Sequence, residues 1–124
     1  MNYAFSPLFT ALRVAVLATA FAACSAHADD YGDVGQLVRA GKFSEAMSKA
    51  DTFLASKPND PQMRFLKGVI LRNTGKQPEA IATFTKLTED FPELPEPYNN
   101  LAVLYASQNE FDKARTALEM AIRT

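Results

Sequence analysis

Three residues, Gly41, Gly75 and Asn109, stand 34 positions apart and restrict this chain more than anything else in its sequence. Each suits a place where a helix stops and the chain reverses. Glycine takes the left-handed backbone that ends helices, and asparagine takes it less readily. Other positions keep the same step. Ala46, Ala80 and Ala114 follow the turn residues, and Pro58 and Pro92 close what comes next. Gly68, Leu71, Phe84 and Leu87 return as Ala102, Tyr105, Leu118 and Ala121. A fixed period of this length is the mark of stacked helical hairpins, a solenoid.

Read in order from Tyr31, the chain forms helix pairs. A short helix over 31–40 ends at Gly41, and a second over 44–56 carries Ala46, Met47, Ala50, Phe53 and Leu54 on one face. Asp60 and Pro61 open the next pair as N-cap and first helical residue. That helix runs to about Thr74, with Phe65, Leu66, Val69 and Ile70 as its apolar positions. Gly68 lies in its middle, where glycine costs about 0.5–1 kcal/mol relative to alanine. The cost makes sense if another helix packs against the bare backbone there. Pro78 starts the partner helix, whose stripe is Ala80, Ile81, Phe84, Leu87 and Phe91. Pro95, Glu96 and Pro97 open a third pair, with Tyr98, Leu101, Ala102 and Tyr105 inward, and Phe111, Ala114, Leu118, Ala121 and Ile122 line the last helix.

The first 28 residues read as an address. Arg13 precedes the apolar run 14–23, and Ala26, His27 and Ala28 form a small-x-small cleavage site before Asp29 and Asp30. The run is shorter than the roughly 20 apolar residues a bilayer span needs. Cleavage after Ala28 gives an exported, periplasmic protein. Phe21 to Cys24 offers a rival, a bacterial lipobox with Cys24 lipidated and an outer-membrane location. An uncleaved anchor is the third alternative, and membrane contact is expected only by these last two routes.

The repeats resemble those of the tetratricopeptide repeat family, whose motif is an aromatic, Leu-Gly, Tyr, then Ala, Phe, Ala and Pro over 34 residues. Tyr98, Leu101, Ala102 and Tyr105 match its first helix, and Gly68, Ala80, Phe84 and Pro92 match in the unit before. Arg64 and Lys67 stand where an aromatic and a leucine are usual. The earliest unit keeps Gly41, Ala46 and Pro58. The resemblance implies an all-α, right-handed superhelical solenoid of about three helix-turn-helix repeats, preceded by a signal peptide. The domain is 29–124, with units near 31–58, 61–94 and 95–124. It also implies a concave groove lined by the first helix of each pair, holding a peptide or helix of a partner protein. Family positions that face the groove map to Gln62, Phe65, Val69, Arg72 and Asn73, and to Asn99, Val103 and Ala106, with Arg39 as their counterpart in the first unit. Arg39 and Arg72 suit a carboxylate, Asn99 a peptide backbone, and Phe65 and Val69 apolar contact. The carboxylate clamp that some members use for chaperone tails is incomplete, because Phe65 and Val69 occupy polar clamp positions. Some exported members assist assembly of envelope complexes or recruit cell-wall enzymes.

Composition narrows the function further. Nearly half of the 124 residues are hydrophobic, and the formal charge is −1 with no basic block, which argues against a nucleic-acid partner. His27 and Cys24 are the only imidazole and thiol, and both fall before residue 29. The remaining chain then lacks a histidine base, a cysteine nucleophile and a Cys/His zinc site, so neither catalysis, a cofactor nor a metal is expected. Glu89, Asp90, Glu93 and Glu96 cluster at a helix end and a proline-rich turn, where carboxylates are ordinarily solvated.

The last helix carries an apolar stripe that no later repeat covers. Leu118 and Ile122 would each forgo about 1.5–3 kcal/mol if left bare. The expectation is that a second copy or a further chain segment covers them, the chain stopping just short of the next in-phase proline. Two readings stand side by side: a groove-binding scaffold, and a self-assembling unit that packs through its terminal helix.

Overall fold

The computed structural model of the protein describes residues 29–124, which form six helices and no strand. The expected leader, the expected cleavage after Ala28, and Cys24 lie outside these residues. Helix α1 includes residues 29–39 and is already under way two residues before Tyr31. It is followed by α2 (Phe43–Ser56), α3 (Pro61–Asn73), α4 (Gln77–Asp90), α5 (Pro95–Ser107) and α6 (Phe111–Arg123). Each helix from α2 onward packs on the next in sequence order.

The reversal inside each pair is the same structure three times. Gly41, Gly75 and Asn109 have φ of 74°, 76° and 60°. The following amides, of Lys42, Lys76 and Glu110, donate to the carbonyls of Leu37, Leu71 and Tyr105 at 2.8–3.0 Å. The turn amides donate to Val38, Arg72 and Ala106. This pair of bonds satisfies carbonyls that the helix end would orphan, and only a left-handed residue permits it. The next helix starts at once: Ala46, Ala80 and Ala114 donate to the carbonyls of Lys42, Lys76 and Glu110, each at 3.0 Å. The reversals between pairs are also in phase, with Lys57 and Phe91 donating back to Phe53 and Leu87.

Entry into α3 is held by Asp60. Its Oδ2 accepts from the Met63 amide at 2.9 Å, as an N-cap should. Its Oδ1 accepts the Tyr31 hydroxyl at 2.6 Å, tying α1 to the start of α3. The Tyr31 ring lies 5.3 Å from that of Phe53 in α2, so one residue links three helices. This hydrogen bond to Asp60, with burial and the Asp60 charge behind it, pushes the Tyr31 hydroxyl up to about 12. Leu94 holds the corresponding place before α5 and makes no side-chain cap.

Two clusters form the core. Val34, Ala46, Ala50, Phe53, Met63 and Ile70 join α1, α2 and α3. Leu71, Ala80, Phe84, Leu101, Ala102, Leu104 and Ala117 join α3 to α6. Gly68 lies between α3 and α4 for a steric reason. A Cβ there would sit 2.6 and 2.7 Å from two carbons of the Phe84 ring. The bare backbone is therefore met by a side chain of the next helix, not by that helix's backbone. Arg64, at the usual aromatic position, lays its guanidinium 5.9 Å from the Phe91 ring centroid and donates to Asp90 Oδ2 at 2.8 Å. The fit of cation to ring and carboxylate replaces an aromatic contact.

The expected inward sets need correction. Within residues 29–124 the α6 stripe of Phe111, Leu118 and Ile122 is exposed, as a face that no later repeat covers, and α6 buries only Ala114 and Ala117. The hairpin α5–α6 closes through small side chains, which leaves the larger ones on α6's outer side. Met63 and Leu104, absent from the expected inward sets, are fully buried.

Replacing Gly68 with alanine is expected to cost about 1–3 kcal/mol by overpacking. Gly35→Ala, whose Cβ meets only the Arg39 guanidinium at 3.5 Å, is expected to stabilise by about 0.5–1 kcal/mol. Urea unfolding of the two variants checks the pair of signs. Because folding raises the Tyr31 pKa above its ordinary 10.0, its contribution is full below pH 10 and lost as pH rises through about 12. The stability difference between the wild type and Tyr31→Phe should shrink across that interval, as read by denaturant midpoints.

Candidate functional site

The expected groove residues lie along one side of α3 and α5, and the structure treats them unequally. Gln62, Asn73, Asn99, Val103 and Ala106 are exposed. Phe65 and Val69 are half-buried and pack on the core, the Phe65 ring 5.7 Å from that of Phe84. They shape the floor of the face as much as they offer contact. Asn73 turns its amide back to the Val69 carbonyl at 2.9 Å.

Arg72 does not project freely. Its Nη1 donates to Asn100 Oδ1, bridging α3 to α5. Asn100 in turn donates to the Glu96 carbonyl at 3.0 Å, which fixes its amide orientation. The neighbouring Asn99 is exposed, so of this asparagine pair one joins the helices and the other faces outward. Arg39 is exposed, with its guanidinium lying back along α1 near Gly35. It forms no hydrogen bond or ion pair with the other groove positions.

Beside Gln62 and Phe65, the entry to α5 opens a cleft of about 250 Å³, completed by Leu94, Glu96 and Pro97. Its floor is apolar and its rim carries one amide and one carboxylate. Sequence reasoning treated Pro95 and Pro97 as helix openers and Glu96 as an opener and a member of a solvated acidic cluster, and missed this role. The signal was present in the proline at position 97, which is too far into the helix to serve as its first residue and is fully buried.

A larger apolar cleft of about 470 Å³ lies between α5 and α6, lined by Tyr98, Leu101, Tyr105, Lys113, Thr116 and Met120 among others. Lys113 Nζ stands 5.6 Å from the Tyr105 ring centroid at its edge. The in-phase positions of α3 and α4 carry Arg64, Lys67 and Lys86 instead. There Arg64 and Lys86 both pair with Asp90, and Lys67 pairs with Asp51 of α2. The hydrogen bond from Arg64, then that from Lys86, holds the Asp90 carboxyl below its ordinary value. Both expected acidic residues at the end of α4 are thus in ion pairs, Glu89 with Lys86 at 3.6 Å. No group of three metal-ligating side chains comes together among the described residues. No helix among them is long and apolar enough to cross a membrane.

A tetratricopeptide repeat family model matches residues 36–95 and, in a second overlapping placement, 78–124. Together with the three identical turns, that match decides the family. The chain belongs to the tetratricopeptide repeat family. Comparison with curated proteins finds no match. Among solved structures, this repeat protein is similar to SycD, the type III secretion translocator chaperone of Yersinia enterocolitica. The TM-score is 0.70 and the identity 16%, over 75% of this chain and 70% of that one. It is similar to YrrB, a tetratricopeptide repeat protein with an unusual peptide-binding site, at TM-score 0.69 and 29% identity over 76% of this chain. It is also similar to a double mutant of MamA from RS-1, at TM-score 0.68 and 15% identity over 76% of this chain. The chain spans about half the length of the last two, 48% and 53%. At 15–16% identity, SycD and MamA share the fold alone.

The groove positions of this repeat protein should separate by stability. Phe65→Ala removes a ring packed on Phe84 and is expected to cost about 2 kcal/mol. Asn99→Ala and Val103→Ala, both at exposed sites, should stay within about 0.5 kcal/mol of the wild type. Thermal and urea unfolding of the three variants checks the division.

Proposed function

We propose that this is an exported, non-catalytic scaffold of the cell envelope that holds a peptide or helix of a partner protein along α3 and α5. Membership of a family of interaction modules supports the class of function, as does the likeness to YrrB, itself a peptide-binding protein. One observation carries the choice of face. Exposed Gln62 lines a small apolar cleft at the entry to α5, exposed Asn99 and Val103 follow along α5, and the Arg72–Asn100 bridge ties together the two helices that bear them. An apolar side chain of the partner fills the cleft above Phe65 and Pro97. Gln62 and Asn99 bond the partner's backbone, and Glu96 meets a basic side chain at the rim. A held helix pair lowers the ordering cost of binding.

Two sequence features support the rest. The residues from 29 onward contain no histidine or cysteine, which leaves nucleophilic and imidazole chemistry without its usual groups. The leader supports export, by cleavage after Ala28 or by lipidation at Cys24. Intact mass of the protein from envelope fractions separates these routes, since one starts at Asp29 and the other carries acyl chains on Cys24.

Selection of a random peptide library on the purified chain tests the groove. Enriched peptides should bind the wild type and lose at least about tenfold in affinity on a Gln62→Ala, Asn99→Ala, Val103→Glu variant of equal stability. Equal binding by the variant would remove this face from consideration, and no enrichment at all would contradict a peptide-holding function.

A further inference from the structure

The outer side of α6 is built like a covered face and has nothing over it within residues 29–124. Phe111, Leu118 and Ile122 are 62%, 49% and 84% exposed. The apolar residues at in-phase places are covered, while α4 has Gln77 and Thr88 at the places of Phe111 and Ile122. Phe84, at the place of Leu118, is 0% exposed. Phe43 and Leu54, at the places of Phe111 and Ile122, are half-buried against the first core cluster.

A departure within α6 itself bears on the occupant. Met47 in α2 and Ile81 in α4 are partly buried against the next hairpin, and the in-phase residue of α6 is Arg115. Another repeat laid on α6 as α5 is laid on α4 would bury that guanidinium against an apolar surface, at a cost. The occupant that suits this face therefore brings a carboxylate to Arg115.

We propose that the occupant is a second copy of this chain, with α6 packed antiparallel on α6 about a two-fold axis near Ala117. Phe111, Arg115, Leu118 and Ile122 follow at steps of four, three and four residues, the spacing of a helix-packing seam. Reversing the helix about residue 117 sets Arg115 opposite Glu119 of the other copy, and Glu119 opposite the other Arg115. Both side chains are exposed and neither forms an ion pair among the described residues. Their order along the helix, cation before anion four residues on, is the poorer one for pairing with each other. Leu118 packs beside the axis, and Phe111 meets the end of the partner helix that carries Ile122. A helix of 13 residues is about 20 Å long, so the interface is smaller than the roughly 800 Å² per partner of standard complexes. The dimer is accordingly weak, with Kd on the order of tens of micromolar. This inference uses the end of the stack and does not depend on the groove.

Sedimentation equilibrium across a dilution series of the purified chain tests it. The wild type should pass from monomer to dimer with concentration, and Leu118→Glu should remain monomeric. Arg115→Glu and Glu119→Arg should each weaken dimerisation by about tenfold, and the double exchange should restore it. These two positions are exposed, so the exchange does not depend on refolding of a core. A wild type that stays monomeric to about 0.5 mM, far above the Kd expected of such an interface, would overturn the proposal. So would a dimer indifferent to Leu118→Glu, or one that the double exchange fails to restore.

Discussion

The stack depends on one contact, the ring of Phe84 set against the backbone at Gly68. A Cβ at position 68 would collide with that ring, so it is the glycine that lets Phe84 of α4 seat on α3. The ring is then sealed from above by Leu101 and Leu104 of α5, which leaves it fully buried. Phe65 leans on the same ring from the groove side. One aromatic side chain thus joins the middle hairpin internally, couples it to the next one, and supports the floor of the candidate binding face.

Much of the fold was legible because turns are a local matter. Gly41, Gly75 and Asn109 mark reversals through a backbone conformation that few residues adopt, and Asp60 with Pro61 marks a helix start through its own side chain. These signals need no knowledge of distant neighbours. Burial is different. Ala117 and Leu118 are adjacent on one helix, and which of them faces the core depends on how α5 and α6 meet. Arg64 looked like a departure from the repeat pattern. Its partners, Phe91 and Asp90, come from the far end of α4, and only the closed hairpin shows that they replace the missing aromatic contact.

The candidate site was legible as a face and not as a set of partners. The family resemblance implied a shared groove face for Gln62, Phe65, Val69, Asn99 and Val103. It could not show that Arg72 reaches across to Asn100, since that bond joins residues 28 apart. The consequence is chemical. A guanidinium expected to be free for a carboxylate ligand serves first as a brace between helices. The exposed amides and the small cleft are left to meet a partner.

The helices of the stack are also braced by polar side chains. Among the side-chain pairs that join one helix to another are Tyr31–Asp60, Arg64–Asp90, Lys67–Asp51 and Arg72–Asn100. The most direct measurement of the account is amide hydrogen exchange resolved by helix, made at a concentration low enough to keep the chain monomeric. A stack in which each hairpin is covered by its neighbours predicts slowest exchange in α3, α4 and α5, and markedly faster exchange in α6, whose outer side is bare. Equal protection in all six helices, or greatest protection in α6, would contradict it.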